Sequence, residues 1–173
     1  MKYFVAHILK GEAGEYGKKI ARQISEQFGT EPLHLKSPPH ITVVPPFDWA
    51  EPRGPIEALK DAVAFIKRGT FYVGRYDHFH TSTILLSVMP SKEMAEGLIE
   101  IRRQFKIFKK EGNDLKELIP HVAVDRFLNC NQFSAIWKYL EQEDPEFRNE
   151  FDSVALLAHA NGRWEIVAEE SLR

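Results

Sequence analysis

The sequence has one cysteine, Cys130, so no internal disulfide can form and the chain needs no oxidising compartment. It lacks long apolar runs: none approaches the roughly 20 residues that span a bilayer. The start, Met1-Lys2-Tyr3-Phe4-Val5, enters a strand pattern directly, without a signal-peptide core and cleavage site. It lacks a dominant charge. A net charge of −2 and a pI near 6.4 exclude a protein held on duplex DNA by bulk positive surface, although a local phosphate pocket stays possible. Glycine and proline, at 10 each, are too few for a collagen-like or low-complexity chain. There is no glycine-rich phosphate loop. Gly11, Gly14 and Gly17 follow the first strand at a spacing unlike a Rossmann or Walker pattern, and no serine or cysteine sits in a nucleophile elbow. What remains is a 173-residue chain, 43% apolar and 28% charged, too apolar to be disordered and long enough to bury a core. The expectation is a cytoplasmic α+β protein, monomeric and continuous over residues 1–173.

Strand and helix patterns alternate throughout. Residues 2–9 are apolar and β-rich, and predict a largely buried strand. Tyr16, Ile20, Ile24 and Phe28 form one helical stripe over 12–28, stopped by Gly29. A short strand over 37–47 is bracketed by prolines, which cannot donate to a ladder. Ile56, Leu59, Val63 and Ile66 mark a second helix, and strands follow at 70–77 and 82–89. Met94, Leu98, Ile101, Phe105 and Phe108 make the longest helical stripe, and 109–118 reads as a polar surface loop. A strand at 120–127 precedes a helix through Phe133, Ile136, Trp137 and Leu140, with Asn131 as a candidate cap. Strands at 151–159 and 163–170 close the chain as a hairpin through Ala160-Asn161-Gly162. Direct strand-to-strand steps predict antiparallel pairing, with helices on the outer faces.

One pattern occurs twice. Pro39-His40-Ile41-Thr42-Val43 matches Pro120-His121-Val122-Ala123-Val124, and a phenylalanine, Phe47 or Phe127, closes each stretch. Side chains alternate along a strand, so His40 and Thr42 share one face while Ile41 and Val43 point behind. His121 and Ala123 share a face in the same way. Each strand therefore presents an imidazole beside a small residue, with room for a ligand, and the Thr42 hydroxyl can donate to an anionic oxygen. Two imidazoles facing one another suit displacement at phosphorus. A neutral ring takes a proton from the attacking oxygen, a charged ring protonates the leaving oxygen, and no metal or cofactor is required.

These stretches, with the TILLSV strand and the closing FDSVALLAHANGRWEIV hairpin, resemble the paired motifs of the two-histidine phosphoesterases, the superfamily of the 2′-5′ RNA ligases and cyclic phosphodiesterases. The resemblance covers nearly the whole chain. It implies a bilobal, pseudo-two-fold fold of largely antiparallel sheets around a central cleft, with helices outside. It implies a metal-independent phosphodiesterase hydrolysing a 2′,3′-cyclic phosphate, a related small cyclic phosphodiester or an RNA 2′-5′ terminus, with a small cyclic nucleotide or RNA terminus as partner. His40 and His121 would be the acid–base pair, Thr42 a phosphate ligand and Arg126 a basic residue after the second motif. Ala123 departs from the pattern, which has Thr or Ser there, so one hydrogen-bond donor is missing. The alternative is a non-catalytic nucleotide or RNA-end binding module with a decayed second motif.

Other residues carry competing readings. By parity Arg126 points away from the His121 face, unless the strand is bulged or has ended. Phe47, Trp49, Tyr76 and Phe79 could stack a base at the cleft rim or simply pack, and Phe47 and Tyr76 are retained as candidate substrate contacts. His78-Phe79-His80 has metal-ligand spacing but no third ligand at convincing spacing, and reads as a polar turn.

Overall fold

A computed structural model describes residues 1–108 and 119–173; the expected polar loop at 109–118 lies outside the described residues. In chain order it contains β1 (Lys2–Ile8), α1 (Gly11–Phe28), α2 (Leu33–Lys36), β2 (His40–Asp48), α3 (Arg53–Val63), β3 (Gly69–Phe79) and β4 (Thr83–Pro90). After these come α4 (Lys92–Gln104), a 3-10 turn (Phe105–Phe108), β5 (His121–Arg126), α5 (Cys130–Leu140), β6 (Glu146–Phe151), β7 (Ser153–Ala160) and β8 (Arg163–Ser171).

The strands form one curled sheet in the order β6-β3-β4-β5-β2-β1-β7-β8, and every pairing is antiparallel. The two lobes expected from the sequence are its halves, β6-β3-β4-β5 and β2-β1-β7-β8. They meet where β2 pairs with β5 at Ile41 and Val122. Each lobe therefore contributes its repeat strand to the seam.

The two faces differ in chemistry. Ile20 and Ile24 of α1, Leu59 of α3, Met94 and Ile101 of α4 and Ile136 and Leu140 of α5 join one core with Tyr3, Val5, Ile41, Val122 and Leu86 of the sheet. Side-chain alternation leaves the opposite face without these helices. There a smaller cluster of Phe4, Ala6, Ala155 and Leu157, with Ile8 and Trp164 packed on it, lies in the β2-β1-β7-β8 half.

Two elements were not evident from the sequence. β6 reads EFRNEF: Phe147, Asn149 and Phe151 turn inward, while Glu146, Arg148 and Glu150 stay exposed. It is an edge strand whose charges conceal its period and discourage further pairing. α2 is a single short turn within a proline-containing stretch that reads as loop. The α5 cap is Asn129 rather than Asn131. The Asn129 side chain accepts from the Gln132 N–H, and the Gln132 side chain accepts from the Asn129 N–H, a reciprocal capping box. Among the described residues no helix is long and apolar enough to cross a membrane.

Candidate functional site

β2 and β5 set out the site. Their antiparallel pairing at Ile41 and Val122 buries both of those residues in the helix-covered core. The neighbours on either side point to the open face: His40 lies opposite Ala123, and Thr42 opposite His121. The two histidines are then diagonal partners, a separation of about 7–8 Å between strands. All four residues are half-buried.

Each histidine is held in the same way. His40 Nδ1 lies 2.8 Å from the Pro38 carbonyl oxygen, and His121 Nδ1 lies 2.8 Å from the Ile119 carbonyl oxygen. A carbonyl only accepts, so Nδ1 carries the proton in both rings and Nε2 is the nitrogen left for chemistry. In both cases the acceptor sits two residues upstream, before a proline whose ring restricts the backbone. Each ring also meets a phenylalanine on the same face: Phe4 is 5.0 Å from His40, and Phe79 is 4.8 Å from His121, edge-on. Trp164 packs edge-on against Phe4 at 4.7 Å.

Burial lowers the pKa of both histidines. For His40 it is the largest cause, Arg126 and His121 add to it, and the value falls to about 4. For His121 burial is again first and Arg126 adds to it. The hydrogen bond to the carbonyl opposes the shift in each case. Without a ligand both rings are therefore neutral at neutral pH. A phosphate placed between them would favour the charged form and return a proton to one ring.

A bulge in each repeat strand shapes the rest. Opposite β1, the register passes from Val44 to Thr42, and Val43 and Val44 are both buried. Opposite β4, it passes from Asp125 to Ala123, and Val124 and Asp125 are both buried. Each bulge resets the alternation, so Arg126 returns to the face of His121 and Ala123. With Ala123 and His40 it lines a cavity of about 20 Å³, which Lys18, His34 and Ser37 also border. Charged side chains hold both bulges: Arg102 Nε donates to the Val43 carbonyl at 2.9 Å, and Asp125 accepts from the Thr30 hydroxyl.

Two expected rim residues are placed elsewhere. Phe47 is buried in the core against Tyr3, Phe105 and Phe108. Tyr76 lies on the helix-covered face, its hydroxyl 2.6 Å from that of Tyr16. A bulge at Arg75, which has φ 51°, reverses the parity of β3 just before it. His78 and His80 are exposed, and His78 Nδ1 bonds the His80 carbonyl at 2.7 Å. Sequence reasoning missed Phe4, Trp164, Thr30 and Asp125. Phe4 carried no signal in the sequence, because its place beside the site follows from the pairing of Ala6 with Thr42.

A fold with one histidine-bearing strand from each lobe at a two-fold seam defines a class of phosphoesterases, and the comparisons agree with it. Residues 17–163 match the family model described as the 2′-5′ RNA ligase superfamily. The chain belongs to that superfamily, whose members are phosphoesterases and RNA ligases. Among solved structures it is similar to TT0787 of Thermus thermophilus, with a TM-score of 0.67 at 15% identity over 100% of this chain and 98% of that one. It is also similar to Escherichia coli LigT complexed with NADP+, with a TM-score of 0.61 at 15% identity over 99% and 97% of the two chains. LigT complexed with 3′-AMP gives a TM-score of 0.63 at 14% identity over 99% and 97%. At these identities the likeness establishes the fold. No curated protein sequence matches the chain significantly.

Proposed function

We propose that the protein is a metal-independent phosphodiesterase that hydrolyses a 2′,3′-cyclic phosphate, a related small cyclic phosphodiester or an RNA 2′-5′ terminus. The observation that carries this reading is the matched pair of histidines on one face, each with Nδ1 committed to a backbone carbonyl and Nε2 free. His40, with the pKa lowered to about 4, is the ring better suited to act as base: it takes the proton from water as the oxygen attacks phosphorus. His121, protonated when the anionic diester binds, gives its proton to the departing ribose oxygen. Thr42 and Arg126 bind the non-bridging oxygens, whose charge grows in the transition state. Nucleotide complexes of LigT support a small nucleotide as ligand.

A phosphorus NMR time course with a panel of 2′,3′-cyclic nucleotides, in EDTA, tests the reading. Turnover of at least one member to a single monoester is expected, with loss in His40→Ala and in His121→Ala. An active double variant would sink it. Ala123 favours a second reading, a nucleotide-binding module without catalysis, which predicts saturable binding of a cyclic nucleotide and no product.

A further inference from the structure

The two sequence repeats part at their closing phenylalanine. Phe47 is buried in the core, whereas Phe127 is 81% exposed. A single exposed apolar side chain is ordinary on a protein surface and by itself means nothing. The backbone of Phe127 is not ordinary. Its φ is 61°, in the left-handed region that a Cβ disfavours and that Gly or Asn usually fills. The other described non-glycine residues with positive φ are polar: His80 and Asn161 in hairpin turns, and Arg75 in the β3 bulge. Both neighbours pin Phe127 in place. The Arg126 N–H donates to the Asp125 carboxylate at 2.7 Å, and the Leu128 N–H donates to the Ser82 carbonyl at 3.0 Å, just before Asn129 caps α5. Strain of this kind persists only where the surroundings impose it. The turn accounts for the conformation but not for the residue. Glycine would adopt it without cost, and a ring this exposed recovers little by packing.

The ring stands at a corner of the site. Arg126, which lines the cavity beside His40, has its guanidinium over the Phe127 ring at 5.8 Å. Thr83 pairs with Arg126 on one side and with Phe79 on the other, and Phe79 meets His121 edge-on at 4.8 Å. Phe127 thus adjoins the lobe of His121, which gives its proton to the departing ribose oxygen in the proposed reaction. We propose that Phe127 is the stacking platform for the base of the substrate's nucleoside, held out at the edge of the site by the strained turn. This rests on the phosphodiester reading and narrows the substrate class to a nucleoside phosphate, as against a phosphosugar without a base. A phenyl ring offers a π-face and no hydrogen-bonding group, so it reads the presence of a base and not its identity.

The test compares adenosine 3′-phosphate with ribose 3-phosphate, the same phosphosugar without the base, by titration calorimetry. The parent should bind the nucleotide at least about tenfold more tightly, and uridine 3′-phosphate should fall within about fivefold of the adenosine compound. Phe127→Gly should cut the preference for a base to about threefold or less with Tm unchanged or raised, because glycine takes the left-handed turn without strain. Phe127→Tyr, which keeps the π-face, should retain the preference. Equal affinity for the two adenosine and ribose compounds in the parent overturns the proposal, as does a preference that survives Phe127→Gly, or no nucleotide binding at millimolar concentration. If Phe127→Gly lowers Tm and weakens both compounds alike, the ring is structural and the proposal falls. If it dissolves a dimer seen by sedimentation and leaves the preference intact, the ring belongs to a second copy and the proposal falls. Base-dependent binding that is lost in Phe127→Gly, with no diester turned over, sinks the hydrolase reading and leaves this one standing. Equal kcat/KM on 2′,3′-cyclic AMP and on ribose 2,3-cyclic phosphate does the reverse.

Discussion

A histidine whose Nδ1 proton is fixed by a carbonyl is a base or acid with one usable nitrogen, and two such rings divide the work only when one is charged. In the free protein both pKa values lie below the ordinary imidazole range, that of His40 at about 4. The singly protonated pair is therefore populated on the acid side of neutrality, and its apparent pKa values belong to the pair. The expected kcat/KM profile peaks below about pH 6.5, the ordinary histidine value. The kcat profile should lie at higher pH, because a bound anion raises both values. Arg126→Ala removes a positive charge and should move the kcat/KM limbs upward. A kcat/KM that keeps rising through pH 8 would contradict this assignment. Replacing either histidine by alanine should cost about 10²–10⁴ in kcat.

At the scale of elements, the site depends on departures from regular strands. Alternation along PHITV and PHVAV was enough to place His40, Thr42, His121 and Ala123 on one face, because those residues precede the bulges. Beyond them a period of two misleads. Arg126 returns to the site face and Tyr76 leaves it after the bulge at Arg75, whereas Phe47, seven residues from His40, is on the core face by plain alternation because the two register shifts in β2 cancel. A bulge is selected by half-buried partners from distant elements, here Arg102 of α4 and Thr30 beyond α1, and no local pattern encodes them. β6 escaped notice for a related reason, since its outward charges hide its inward phenylalanines. Gly74, next to the β3 bulge, has a clear requirement. A Cβ there would lie 2.1 Å from the Pro145 carbonyl oxygen, which is backbone and cannot move aside cheaply. Gly74→Ala should force β6 away from β3 and destabilise by about 1–3 kcal/mol, the usual range for overpacking. Asn129→Ala, which removes the α5 capping box, should cost about 1 kcal/mol. Urea unfolding measures both, and a wild-type midpoint for Gly74→Ala would show that the loop before β6 yields freely.

At the scale of the molecule, a single curled sheet carries α1, α3, α4 and α5 on one face, and the seam of the two lobes opens on the other. Placing imidazoles in that half-buried seam ties activity to acid stability. His7 is also buried, with its pKa lowered mainly by burial, between Phe71 and Phe151. Three histidines thus have folded pKa values below their unfolded value of about 6.5. Between the two values the unfolded chain binds more protons, so stability rises with pH. The contribution is fully present above about pH 6.5 and is lost as pH falls toward the folded value, about 4 for His40. Asp125 acts in the opposite sense, because burial raises its pKa, but it is one group against three. Scanning calorimetry should show Tm falling between pH 6.5 and 4.5, and His40→Gln should flatten that slope. Inorganic phosphate should raise Tm and do so more at pH 5.5 than at pH 7.5, because the proton that a bound anion draws onto a ring is taken up at lower cost there. A Tm that does not change over that range would mean that these rings are as well solvated in the folded chain as in the unfolded one, and the site would lose the desolvation that keeps His40 neutral.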